Sequence, residues 1–293
     1  MKNSLVIMMS LLPLFGIAQT SHDSSNDSAR TISDPRFSVK EFNGFKLHSF
    51  VPQGKGADPS YVIEGTDSLV TLEQPLMRAN GEAYDFYVAQ LNKPVAKRIA
   101  DFHLGNTGDA TLTTPEGMPE AFNGEQYQEM MTRFAKQYGD AMVALPTGKM
   151  ETVPFDKTLN FAGIPFTFLH ASSNDFPGAN ILIGNEVVYS HFTPSKTHIR
   201  ARSLSGKDGV QSRIDELKRV KDTGASWFIG GHGNPVTIDA IEFELDYLRE
   251  IQEQLKTQPD AKTFANALIA AYPDLAGADN VPALAELLYS TNK

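Results

Sequence analysis

Cysteine is absent from all 293 residues. That excludes disulfides, thiolate metal ligands, a cysteine nucleophile and a lipid tether through an N-terminal cysteine. Beyond the first 18 residues, no apolar run approaches the roughly 20 residues a spanning helix needs. Clustered positive charge is missing as well. Lys and Arg number 26 against 35 Asp and Glu, a formal net charge of -9. An acidic chain without a basic run is poorly suited to nucleic acid or to anionic membrane surfaces. No G-x-S-x-G elbow and no phosphate-cradling P-loop occurs. Gly54-Lys55-Gly56 and Gly148-Lys149 lack that context and read as turns.

What is there begins with an export address. Lys2 precedes an apolar run, residues 5–17, broken only by Ser10, Pro13 and Gly16. Gly16-Ile17-Ala18 puts small residues where a signal peptidase inspects the chain, so residues 1–18 are expected to be a signal peptide. The expected destination is the periplasm or beyond, as a soluble protein and not a lipoprotein, with no membrane span after cleavage. Residues 19–36 are polar and serine-rich and read as a flexible leader. Residues 37–293 show no repeat and no linker and read as one domain. The partner expected there is a small molecule, not nucleic acid.

Within that domain, residues 37–51 form a hairpin around Asn43-Gly44. Strands are expected at 61–63, 68–72 and 95–102, with a helix at 83–91. Tyr127, Met130, Met131 and Phe134 stand at helical spacing within 124–138. Paired strands flank Gly163, and 180–183 with 187–190 form a hairpin. Residues 210–223 read as helical. Trp227-Phe228-Ile229 is a buried strand ending in Gly230-Gly231-His232-Gly233. A helix at 238–256 carries the stripe Ile241, Leu245, Leu248, Ile251 and Leu255. Its acidic pairs Glu242/Glu244 and Glu250/Glu253 are expected on the solvent face. Helices at 262–271 and 281–289 close the chain. Hairpins in both halves with helices between them point to helix-covered sheets rather than a simple parallel doubly wound fold.

Several stretches together resemble the metallo-β-lactamase superfamily. YVIEGTDSLVTLEQP (61–75) is similar to its opening hairpin, ending in Glu73. VAKRIADFHLGNTG (95–108) lies where that family carries its HxHxDH loop. SWFIGGHGNP (226–235) is similar to its late strand ending in a metal-binding histidine. GANILIGNEVVYSHF (178–192) resembles the hairpin with the bridging aspartate, and AAYPDL (270–275) resembles the tail of one bacterial branch. The resemblance implies an α/β fold, a four-layer αβ/βα sandwich with metals at one edge between the halves. It also implies a zinc-activated water that attacks a carbonyl or phosphoryl centre.

Laid on this chain, the family's ligand positions fall on Asp101, His103, Gly105 and Asn106, then near Asp175, on His191 or Phe192, and on His232. Glycine offers no ligand atom, and an Asn carbonyl is a weak one for zinc. The remnant set is therefore Asp101, His103, Asp175, His191 and His232, with Glu73 and Asn106 behind it. One zinc or other divalent ion is expected at most, not a dinuclear centre. Plainer roles stand beside these. His103 can bond a backbone carbonyl, Asp101 can cap a helix, Asp175 can form a turn, and Glu73 can brace the loop. His170 and His198 lie close enough in sequence to enter the cleft, while His48 and His22 read as structural or leader residues. Selectivity is expected from loops 111–124 and 192–209. Two functions follow: a metal-dependent hydrolase with a remodelled site, or a non-catalytic binding or scaffold protein of the cell envelope.

Overall fold

The computed structural model of the chain describes residues 34–290, apart from 55, 57, 106, 172–175 and 205–207. The expected signal peptide, with His22, Asn106 and Asp175, lies outside the described residues. Of the expected leader, Asp34 to Arg36 are tied to the body. The Asp34 carboxylate takes hydrogen bonds from Arg36 N (3.0 Å) and Nη2 (2.6 Å), and Val51 N donates to Arg36 O (2.9 Å).

The first sheet opens with the expected hairpin, β1 (Phe37–Phe42) and β2 (Phe45–Phe50). Its turn is possible because Gly44 sits at φ 86°, where a residue with a Cβ would be strained. Antiparallel β3 (Ser60–Glu64) and β4 (Leu69–Leu72) follow, then α1 (Arg78–Gln90) and β5 (Val95–Ile99), parallel to β4. β6 (Leu112–Pro115), α2 (Met118–Asn123), α3 (Glu125–Tyr138) and β7 (Met150–Val153) complete a seven-stranded sheet in chain order. The second sheet contains β8 (Lys157–Phe161), β9 (Ile164–His170), β10 (Ala179–Ile183) and β11 (Val187–Phe192), all antiparallel. After α4 (Gly209–Asp222), β12 (Trp227–His232) adds parallel to β11, and α5 (Ile238–Thr257), α6 (Ala261–Ala271) and α7 (Val281–Ser290) follow.

Side-chain alternation stacks these into four layers. In β9, Ile164, Phe166 and Phe168 are buried and Pro165, Thr167 and Leu169 are less so, the period of two that a one-sided face requires. The buried row meets Leu47, Tyr61, Ile63, Val70 and Ile99 of the first sheet, forming the inter-sheet core. β3 is buried along its length because Val62 points the other way, onto Tyr84 of α1. On the far side, Val188 and Phe228 meet the apolar faces of α4 to α7. Each fully buried side chain of this size contributes on the order of 1.5–3 kcal/mol. The order is the expected αβ/βα sandwich. No helix among the described residues is long and apolar enough to cross a membrane.

The structure differs from expectation in four elements and at one residue. α1 begins at Arg78 because packing of Tyr84 and Tyr87 overrides the weak helix formers Asn80 and Gly81 in its first turn. β6 and α2 occupy a stretch read as a loop, and β7 one to which no element was assigned. β6 is buried throughout and shows no alternation, and the six-residue α2 is too short to show a period. Glu244 is not on the solvent face of α5. It is 2% exposed and pairs with the buried Arg213 (2.8 Å). Charge in a helix does not say which way it points; here Arg213 of α4 supplies the partner that makes burial possible.

Candidate metal centre

Three strand ends and two loops converge at one edge of the sandwich. β5 runs into Asp101-Phe102-His103, β11 ends on His191 and Phe192, and β12 ends on His232. Glu73 holds the first of these. It sits at the end of β4 in the left-handed region, φ 59°, where a non-glycine residue needs a reason. The reason is its wholly buried carboxylate, which accepts the N–H groups of Asp101 (2.6 Å), Phe102 (3.1 Å) and His103 (2.7 Å). These three bonds tie the loop after β5 to the end of β4.

Two glycines of β12 make room for the histidines. A Cβ at Gly231 would come within 2.9 Å of His103 Cε1 and 3.1 Å of the Tyr189 hydroxyl. At Gly230 it would collide with Ser190 O and Thr193 Oγ1. These glycines serve close approach; the sharp turn belongs to Gly233, at φ 106°. Tyr61 locks β12 to the first sheet by donating its hydroxyl to Gly230 O (2.8 Å).

His103, His191 and His232 come together. One ligand atom from each lies within 4.8 Å of the others, and their ring centroids are 4.8–5.3 Å apart. Carboxylates take the outer nitrogens of two of them. His232 Nδ1 is 2.9 Å from Asp58 Oδ1. His103 Nδ1 lies 2.7 Å from Glu73 Oε2, an ion-pair distance without hydrogen-bond alignment. His103 Nε2 is 3.8 Å from Asp58 Oδ2. Burial opposes charge on His103, but Glu73, Asp58 and Asp101 outweigh it and lift its pKa to about 9. Burial holds His232 below its ordinary value despite Asp58. His191 falls well below, through burial and then the positive neighbours His103, His232 and Arg202. Burial raises Asp58, but His232, His103 and Arg202 together keep it below the usual carboxylate range.

The remaining sequence-predicted positions fall as follows. Asp101 Oδ1 accepts Ala179 N–H (2.7 Å), bridging β5 to β10, and its Oδ2 is buried without a partner. Burial and then Glu73 push its pKa well above the carboxylate range. It stands beside the histidine group rather than in it. Gly105, at φ 51°, has no room for a ligand side chain: a Cβ would collide with Gln74 Cβ and sit 2.7 Å from its carbonyl carbon. His170 packs on Phe155 and does not join the histidines. His198 bonds Tyr247 (2.7 Å) and lines a neighbouring cavity. His48 is structural, held by Tyr87 (2.7 Å) and Glu64 (3.0 Å). Asp58 escaped the sequence reading. It lies in the loop between β2 and β3, just ahead of the 61–75 stretch and within no motif, and only its Asp-Pro turn chemistry is legible.

The donor set suits a metal ion. Three imidazoles face one another; Asp58 holds His232 through Nδ1 in the manner of metal-bound histidines, and Glu73 lies beside His103 Nδ1. His191 Nδ1 is buried with no hydrogen-bond partner, which an isolated protein interior rarely tolerates. Above the histidines lies a cavity of about 220 Å³, walled by Phe102, Tyr127, Met130, Met131, Phe134 and Phe176, with Arg202 at its edge.

No protein-family model and no curated protein matches the sequence. Solved structures do match the fold. A metallo-beta-lactamase family protein of Thermus thermophilus superposes with a TM-score of 0.55 at 16% identity, over 84% of this chain and 91% of that one. The stereoselective inverting sec-alkylsulfatase Pisa1 of Pseudomonas sp. gives 0.57 at 16% identity, over 86% of this chain and 49% of that one. This chain thus spans about half the length of the sulfatase. Identities this low speak for architecture and not for activity. The resemblance read in the strands and loops holds in three dimensions: this chain has the fold of the metallo-β-lactamase superfamily.

Proposed function

We propose that the protein is an exported, mononuclear metal-dependent hydrolase of a small molecule, with His103, His191 and His232 as the metal ligands. The observation that carries this is the buried trio of imidazoles, one with a nitrogen that has no other partner. Zinc suits this donor set, and other divalent ions that accept imidazole suit it too. When bound, the metal supplies a Lewis acid that lowers the pKa of water and polarises the bond to be cleaved.

This chain's residues do the rest. Asp58 occupies Nδ1 of His232 and Glu73 faces Nδ1 of His103, so both rings are held in orientation with Nε2 left for the metal. Burial keeps His191 in the neutral form that ligates, whereas His103, lifted to about 9, has to release its proton as a metal binds. Asp101 lines the cavity and can hold a proton at its unpartnered Oδ2. The collision at Gly105 supports one metal rather than two, because no side chain can extend from that position. Export rests on residues 1–18, and N-terminal sequencing of the secreted protein is expected to begin at Gln19.

Elemental analysis of the purified protein tests the reading. About one equivalent of metal is expected, falling in His191→Ala and His232→Ala. Less than about a tenth of an equivalent after supplementation would overturn it and favour the non-catalytic envelope protein instead.

A further inference from the structure

We infer that the substrate is a carboxylic ester of an apolar acid, its acyl group lying against α3 and its carbonyl at the histidines. This rests on the hydrolase reading above. Tyr127, Met130, Met131 and Phe134 occupy one face of α3, as their spacing requires. That face does more than close a core. Met130 and Phe134 remain half-exposed, and all four side chains line the cavity that holds His103, His191 and His232. Phe102 and Phe176, ring centroids 4.9 Å apart, pack on Tyr127 and continue this apolar lining. An apolar wall beside a metal-binding cluster takes an apolar group next to the bond being cleaved.

The charges select the reacting centre. Asp58 and Asp101 line the cavity, Glu73 stands directly behind His103, and Arg202 is the guanidinium in the lining. Phosphoryl and sulfuryl groups carry formal negative charge, and their sites gather arginines and lysines. This cavity gathers no lysine and a single arginine, which favours a neutral carbonyl instead. The alcohol half has its own place. A second, more polar cavity of about 360 Å³ shares Phe192, Arg202 and His232 with the first and is lined by Ser195, Thr197, Asn234 and Arg200, with Lys196 and Arg213 whose charges are met by Asp239 and by Glu216 and Glu244. In the reaction, water oxygen bonds to the acyl carbon and the ester C–O bond breaks with its electron pair on the alcohol oxygen. One water proton goes to that oxygen and the other leaves with the acid.

The test is a chain-length series on the metal-loaded protein: p-nitrophenyl acetate, butyrate and hexanoate beside p-nitrophenyl phosphate and sulfate. Each buried methylene is worth about fourfold in binding. The hexanoate ester is expected to exceed the acetate ester in kcat/KM by at least about tenfold, with phosphate and sulfate at least about a hundredfold below acetate. Met130→Trp, at the half-exposed rim, is expected to cut the hexanoate-to-acetate ratio by at least about fivefold. Titration calorimetry gives a readout apart from turnover: hexanoate ion is expected to bind at least about tenfold tighter than acetate ion, and Met130→Trp to remove the difference. Turnover of esters without chain-length dependence, or faster cleavage of phosphate or sulfate, would overturn this inference and leave the hydrolase standing. No turnover of any of these compounds would overturn this inference as well, while the hydrolase reading itself falls on metal content below about a tenth of an equivalent.

Discussion

Two buried charged clusters flank the end of β11, and they are built to opposite rules. Arg213 sits 2% exposed with Nε on Glu244 (2.8 Å), Nη1 on Glu216 (2.9 Å) and Nη2 on the Phe192 carbonyl (3.1 Å). Glu244 also accepts Ser195 N–H (2.9 Å). Burial opposes the charge of Arg213, yet the two carboxylates raise its pKa. Nearby, His191 Nδ1, Asp101 Oδ2, the Tyr189 hydroxyl and Thr193 Oγ1 are all buried without hydrogen-bond partners. A satisfied network positions backbone; an unsatisfied one waits for something to bind. The first cluster pins the 192–195 segment that leads away from the second.

The sharpest way to break this contrast is at Arg213. Arg213→Met strands two buried carboxylates and is expected to lower unfolding free energy by about 3–5 kcal/mol, read by urea denaturation of the metal-free protein. His191→Leu in the same assay is expected to change stability by less than about 1 kcal/mol, because it removes a polar atom that had no partner. Equal losses would show that both clusters are structural.

Metal removal comes next. Chelation is expected to lower stability by about 2.7 kcal/mol relative to protein held at a hundredfold excess of metal over Kd. His191→Leu is expected to abolish that difference in thermal melts, whereas Lys221→Ala, whose partner Glu242 is exposed, leaves it intact. Gly231→Ala pushes a methyl against His103 and Tyr189, with an expected loss of about 1–3 kcal/mol and a fall in metal content. Normal metal occupancy in that variant would separate His103 from the ligand set.

The smallest effect concerns pH. His48 is as deeply buried as His191, but Tyr87 and Glu64 take both its nitrogens. Burial lowers its pKa from 6.5, and Glu64 only partly restores it. A histidine depressed in the fold binds fewer protons than in the unfolded chain. Its contribution is therefore whole above pH 6.5 and is lost as pH falls from there through its folded value. Urea midpoints between pH 7 and pH 5 should fall less steeply in His48→Phe than in the parent; identical slopes would remove His48 from the account.

Much of the architecture was legible before any coordinate. Hairpins with alternating apolar residues, the Asn43-Gly44 turn and the long apolar stripe of α5 each carry a local signal. β6, α2 and β7 carry none, since a short buried strand and a one-and-a-half-turn helix look like loops. His232 was legible as the end of a buried strand closing on Gly230-Gly231-His232-Gly233. Asp58 and the burial of Glu244 were not legible, because each depends on a partner distant in sequence, His232 and Arg213 respectively.

Local patterning, which acts over a few residues, by itself determined the elements, their hairpin-rich order and the chemistry on offer: imidazole and carboxylate, never thiolate. Which histidines meet was decided only by tertiary structure. His103, His191 and His232 come from three strand ends as far as 129 residues apart, and they converge because the sheet holding β5 packs face to face on the sheet holding β11 and β12. Sheet packing sets such distances to fractions of an ångström, and no spacing along the chain encodes them.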